Sequence, residues 1–245
     1  MINKRIPLPF TALLLALPLL APAAQANVVI AGTRVIYPAD QREVTLRLDN
    51  RGELPALVQV WVDDGNKDTP IGQLKVPFVI TPVISRIEAR NGQTLRLSYT
   101  GGGSLPTDKE SVYWLNLLDI PPQSAKKQDA NLLQMALRTR IKIFYRPAAL
   151  DADGAAAAIS ALRWSTVNGS LLATNNSGYY VNVASVTYSS GGRKFSTIEG
   201  GMVAPGQTQP FKFNAPAGGI AHGAQIGYVA INDFGGETTA QAKVN

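Results

Sequence analysis

One imidazole exists in this chain, His222, and it sits among Gly218, Gly219 and Gly223 with no nucleophile motif beside it. Serine hydrolase chemistry needs an imidazole within hydrogen-bond reach of a nucleophile and an orienting acid, so His222 reads as a surface loop residue. The chain has no cysteine. That removes thiol nucleophiles, iron–sulfur clusters and thiolate zinc sites, and a histidine-cluster metal site is excluded by number. Side-chain oxygens gather at Asp63-Asp64-Gly65-Asn66 and at Asp151, Asp153 and Gly154. Neither group has the full spacing of a calcium loop, and Asp, Asn and Gly are ordinary turn formers, so both read as turns. Carboxylate pairs of the glycosidase kind stay open as a reading, but aromatics are only 7% of the chain and mark no sugar-binding cleft. The residue inventory implies no metal and no cofactor. It favours recognition over turnover.

The charge is uneven. Of the formal +6, two charges belong to Lys4 and Arg5 at the extreme N-terminus. Between Asn27 and Pro147 there are 16 Lys/Arg against 12 Asp/Glu; from Ala148 onward there are 5 of each. An excess this small is a poor nucleic-acid signal. It reads as a local preference for an anionic group on a partner.

The residues that would present such a preference lie on one long stretch, 131–147, NLLQMALRTRIKIFYRP. Its odd positions, Leu133, Met135, Leu137, Thr139, Ile141, Ile143 and Tyr145, are mostly apolar; its even positions include Arg138, Arg140, Lys142 and Arg146. A period of two places successive side chains on opposite faces of a strand. The stretch is far longer than the usual strand of about 5–6 residues. Before it, QSAKKQDA reads as a polar loop, and after it Pro147 removes a ladder donor. Burial of Leu133, Met135 and Leu137 within the chain's own sandwich is one reading. Pairing of this edge with a partner chain, whose core they enter, is the other. Periodicity alone leaves both open.

The remaining segments also read as short strands. In the first half they are 28–37, 43–49, 56–62, 78–81, 84–89, 94–99 and 112–119, broken at Asn50-Arg51-Gly52, Asn91-Gly92 and Gly101-Gly102-Gly103. After Pro147 an alanine-rich stretch, 155–161, predicts no more than a helical turn. Further strands follow at 162–167, 170–175, 181–189, 193–195, 201–203, 209–214, 225–232 and 237–243, with an Asn168-Gly169 hairpin signal. Turns at this frequency predict an all-β protein of two immunoglobulin-like sandwiches. Residues 1–26 stand apart: Lys4 and Arg5, an apolar run from Leu8 to Pro22, then Ala24-Gln25-Ala26. This is a secretory signal pattern cleaved after Ala26, too short and Pro-broken for a stable membrane anchor. The expected organisation is signal 1–26, a first domain 27–147 and a second domain 148–245. An exported chain without cysteine must hold its fold by core burial alone.

Several segments together resemble the PapD-like family of periplasmic chaperones of the chaperone–usher pilus system. They are Gly32-Thr33-Arg34-Val35-Ile36-Tyr37-Pro38; Thr81-Pro82 with Arg86-Ile87-Glu88 and Gly92-Gln93-Thr94-Leu95-Arg96; and Glu110-Ser111-Val112-Tyr113-Trp114-Leu115-Asn116 with Ile120-Pro121-Pro122. Arg140-Ile141-Lys142-Ile143-Phe144-Tyr145-Arg146-Pro147 and Ile231-Asn232-Asp233-Phe234-Gly235-Gly236 complete the set. The resemblance covers the whole chain after residue 26. It implies two immunoglobulin-like domains in a boomerang with a cleft that holds a pilin (fimbrial) subunit. It implies a non-catalytic chaperone that completes the pilin core by donor-strand complementation and passes the subunit to an outer-membrane usher. By the same resemblance Arg34 and Lys142 grip the pilin C-terminal carboxylate, and Leu133, Met135 and Leu137 form the donor strand. Glu110, Arg146 and Asp233 form interdomain salt bridges, and Arg86 contacts the usher. The short segment between Pro122 and Leu133 resembles the short-loop subclass, which typically serves rod-like pili. Met135 stands where a branched aliphatic residue is more usual. Self-association through the donor strand of the unliganded chain is consistent with edge-strand physics. The alternatives are a secreted immunoglobulin-like adhesin or structural pilus component, which would be expected to be a single incomplete sandwich, and a polysaccharide-active β-sandwich enzyme.

Overall fold

Alternation of apolar side chains gives the first half two facing sheets. The computed structural model describes residues 28–101, 104–122, 135–167, 170–213 and 220–245. One sheet has the order β1 (Val28–Ile30), β3 (Glu43–Asn50), β7 (Gly92–Tyr99), β5 (Phe78–Thr81). The other has the order β2 (Arg34–Pro38), β9 (Leu137–Arg146), β8 (Ser111–Ile120), β4 (Ala56–Asp63), β6 (Ile84–Ile87). Between them Leu48, Leu95, Leu97, Leu115, Leu117 and Ile143 are fully buried. Ile141 and Tyr145 join the same core, so the C-terminal part of the long alternating stretch packs inward. Tyr37 anchors the sandwich edge. Its ring is buried, and its hydroxyl donates to Arg42 O at 2.9 Å while accepting from Tyr99 N at 2.9 Å.

The second half repeats the plan with its own core. A three-stranded sheet, β10 (Arg163–Val167), β11 (Ser170–Thr174), β15 (Thr208–Phe211), faces a five-stranded one. The latter runs β13 (Arg193–Ser196), β12 (Val181–Ser190), β16 (Gln225–Ile231), β17 (Glu237–Lys243), with β14 (Gly201–Val203) also on β12. Trp164, Tyr228, Leu171 and Val186 fill the space between them. The chain is therefore all-β in two sandwiches, and the two cores share no residue.

Two expectations are corrected. The strand expected over 28–37 is two strands in different sheets: β1 pairs with β3, and β2 runs parallel to β9. The change of sheet occurs at Gly32, whose φ of 123° is costly for any residue with a Cβ. The alanine-rich stretch forms a full helix, α1 (Ala152–Ser160). Asp151 caps it, its carboxylate accepting from Gly154 N at 2.7 Å, and Ala158 and Ile159 pack into the second core. The Asp151 group is thus a helix cap. Residues 1–27, 102–103, 123–134, 168–169 and 214–219 lie outside the described residues, and with them the expected signal, Gly102 and Gly103, Leu133 and the Asn168-Gly169 turn.

Candidate functional site

Parallel pairing of β2 with β9 places Arg34 directly opposite Lys142, so two residues far apart in sequence project from one face of one sheet. Lys142 lies over the Trp114 indole with Nζ 5.0 Å from the ring centre. Arg34 reaches across to the second sandwich, where Nη1 donates to Ile231 O at 2.9 Å. The two side chains line a cleft of about 300 Å³ with Asn182, Gly200, Met202 and Ile231, and no carboxylate lines it. Burial lowers the pKa of Lys142, and the nearby Arg34 and Arg140 charges lower it further. Burial likewise lowers that of Arg34, opposed by Asp233. Two like charges held side by side, each partly buried and with no acid in the described lining of the cleft they share, favour an entering anion. A carboxylate accepts from both in charge-assisted hydrogen bonds.

The strand edge beside the cleft is open. Among the described residues β2 covers β9 only from Lys142 onward, and residues Leu137 to Ile141 pair with β8 on the other side alone. Met135 and Leu137 at this edge are 72% and 48% exposed, so neither packs into the chain's own core. Apolar side chains at an unpaired edge are what native sheets normally avoid.

The polar face of β9 is built as rows across three strands: Asp63, Trp114, Lys142; then Trp61, Asn116, Arg140. Asp63 is buried and takes two bonds from Arg140, through Nε at 3.0 Å and through Nη2, with a third from Asn116 Nδ2 at 2.7 Å. Burial alone would raise the Asp63 pKa, but these donors and Gly65 N outweigh it and the carboxyl sits below its ordinary value. Asp63 therefore closes its turn, as its sequence suggests, and also neutralises Arg140. The second role left no local signal, because Arg140 is distant in sequence.

Glu110, Arg146 and Asp233 come together at the junction of the sandwiches. Arg146 donates from Nε to Glu110 Oε1 at 2.8 Å, and from Nη1 and Nη2 to the two Asp233 oxygens at 2.7 and 3.0 Å. Glu110 Oε2 accepts Tyr180 N at 2.8 Å, so this carboxylate also bridges the halves. Burial is the largest influence on Glu110 and raises its pKa despite the Arg146 charge. Asp233 rides on a turn whose Gly235, at φ 82°, leaves a Cβ no room beside Thr33 Oγ1. Phe144, on the polar parity of β9, is buried and packs its ring 5.8 Å from that of Tyr180. Arg86 lies apart from the cleft, paired with Glu88 at 2.8 Å beside a groove of Leu57, Ile120 and Pro121. His222 is exposed in a turn of the second sandwich.

Comparison with known proteins is decisive. Residues 27–151 match the family model for the pili and flagellar-assembly chaperone PapD N-terminal domain, and residues 157–242 that for the pili assembly chaperone PapD C-terminal domain. The chain belongs to the PapD family of pilus-assembly chaperones. It is 44% identical over 225 residues to the probable fimbrial chaperone YadV of Escherichia coli K12, covering 89% of this chain and 90% of YadV. Its structure resembles that of the Pseudomonas aeruginosa CupB2 chaperone at a TM-score of 0.75 and 38% identity, covering 89% of this chain and 100% of that one. It also resembles a chain of the Salmonella enterica complex of SafA pilin with the SafB chaperone, at a TM-score of 0.73 and 30% identity over 91% of this chain and 98% of that one. In this PapD-family chain the two matched domains meet at the site. The PapD N-terminal region supplies Arg34, Lys142, Glu110 and Arg146; the PapD C-terminal region supplies Tyr180, Ile231 and Asp233.

Proposed function

We propose that this chaperone binds the C-terminal strand of a pilin subunit along the open edge of β9 and fixes its carboxylate between Arg34 and Lys142. The observation that carries the reading is the pair of partly buried cations in a cleft whose described lining holds no acid, next to an apolar edge unpaired among the described residues. Direction follows from geometry. Beyond Lys142 the edge is occupied by β2, so a strand whose carboxylate ends at Lys142 covers residues 137–141 only by running parallel to β9. Leu133, Met135 and Leu137 then enter the open core of the subunit, and the carboxylate sets the register; a slip of one residue turns every side chain to the wrong face. The Glu110–Arg146–Asp233 bridge keeps the cleft walls at a fixed angle, and exposed Arg86 is assigned to the outer-membrane usher. The chain works in the periplasm after removal of residues 1–26, with domains 27–147 and 148–245. The kinship with SafB, solved together with SafA pilin, supports the choice of partner.

The test is co-expression with a pilin subunit. Lys142→Ala is expected to leave the melting temperature close to that of the parent, and Arg34→Ala to lower it only by the loss of one hydrogen bond to Ile231 O, while with either variant recovery of the subunit from the periplasm drops at least about tenfold, as for loss of a charge-assisted bond. Full protection of the subunit by either variant would remove that residue from the anchor.

A further inference from the structure

Asp119 is a carboxylate on the core-facing parity of β8, in line with the fully buried Leu115 and Leu117. The residue is 4% exposed. Its ladder neighbours are apolar on both sides, Val58 on β4 and Leu137 on β9. Oδ2 accepts from Val28 N at 3.1 Å, a donor on β1 of the facing sheet. Oδ1 is buried and has no hydrogen-bond partner among the described residues. Burial raises the pKa of this carboxyl, opposed only by the bond from Val28 N, with no Lys or Arg of the described residues acting on it. A carboxylate taken out of water needs a cation or a full set of donors, and Asp119 has one neutral donor.

That donor belongs to the second residue of the chain once residues 1–26 are removed. Cleavage after Ala26 gives Asn27 a free α-ammonium, with three N–H donors and a positive charge, where the precursor has an uncharged amide with one N–H. Backbone bond lengths keep successive nitrogens within about 4 Å of each other at any torsion. The new ammonium is thus tethered beside Val28 N, within reach of the unpartnered Oδ1. We infer that Asp119 is the counter-ion of the mature N-terminus, so that removal of the leader creates a buried ion pair fastening β1 to the end of β8. The inference rests on the proposed processing after Ala26. Three charge-assisted donors satisfy the oxygen that the precursor leaves bare. Asp119 also stands opposite Leu137, where β9 begins, so processing firms the end of the sheet from which the open edge projects.

The test is a double-mutant cycle on the exported protein, read by urea unfolding at pH 7. One change is Asp119→Asn, which keeps an acceptor for Val28 N and removes the charge. The other inserts Gly-Ser between Ala26 and Asn27, so that the mature chain starts two residues earlier and its ammonium moves away from Asp119. Mass spectrometry of the intact protein fixes the first residue in each case. The insertion is expected to weaken folding by about 5- to 30-fold in the parent and by less than about 2-fold in the Asp119→Asn background. Equal loss in both backgrounds, or no loss in the parent, overturns the inference. NMR titration gives an independent reading: the Asn27 α-amino pKa is expected above its ordinary value of about 7.7–8.0 in the parent and back at that value in Asp119→Asn. An ordinary value in the parent overturns the pairing too. A first residue other than Asn27 in the parent refutes the processing site and the inference together; Asn27 without coupling refutes the ion pair alone.

Discussion

Asp63 shows how one buried carboxylate organises a basic surface. It takes the charge of Arg140, leaving Lys142 and Arg34 to face the cleft with no acid of their own in its lining. Asp63→Asn leaves the Arg140 guanidinium against a neutral amide, and we expect it to cost about 1–3 kcal/mol near pH 7. The pH dependence has a definite sign. The Asp63 carboxyl is held below its ordinary value, so its stabilisation is complete above the unfolded pKa of about 3.9 and is lost as the pH falls through the lower folded value. Glu110 has the opposite sign: its pKa is raised, so its contribution is greatest in acid and declines as the pH rises through the raised value. The difference between the parent and Asp63→Asn cancels Glu110. Urea unfolding at a series of pH values should show that difference shrinking below about pH 4; a difference unchanged in acid would deny the ion pair its role.

At the scale of the element, β9 has two functions divided near Lys142. From Ile141 onward its odd residues pack in the first core, while Met135 and Leu137 are exposed at an edge that no described strand covers. Leu137→Asp is expected to change stability by no more than about 0.5 kcal/mol, as for an exposed site, and yet to abolish recovery of a co-expressed pilin. Ile143→Ala, at a fully buried site, is expected to cost about 2–5 kcal/mol in thermal unfolding. If Leu137→Asp destabilised the free protein as much as Ile143→Ala, the edge residue would be part of the core. The alternation that divides these roles was legible in the sequence, as were β5, β14 and β17 to the residue. The break at Gly32 was not, because both halves of 28–37 are apolar and β-branched and only the pairing partner differs. Helix α1 was missed because alanine gives little amphipathic signal; its Asp151 cap was the available clue.

For the whole molecule, the junction of the two sandwiches depends on a few desolvated groups. Arg146 holds Glu110 from its own sandwich and Asp233 from the other, and Arg34 binds the carbonyl of Ile231. Removing the cation strands the buried Glu110 charge, so Arg146→Ala is expected to cost about 3–5 kcal/mol, more than Glu110 and Asp233 would lose as exposed surface pairs. Differential scanning calorimetry should show a lowered transition that splits in two, one for each core, while a single unshifted transition would deny the bridge a coupling role.

The sequence by itself determined the all-β character, the parity of most strands and the family resemblance, because side-chain alternation and turn chemistry are local. It also marked Arg34, Lys142, Glu110, Arg146 and Asp233 through their motifs. Only the tertiary structure decided that Arg34 stands beside Lys142, that no acid stands in the described lining of the cleft they share, and that Asp63 pairs with Arg140. The physical reason is that the effect of a charge depends on its burial and neighbours, and here these come from strands far away in the chain and from the second sandwich.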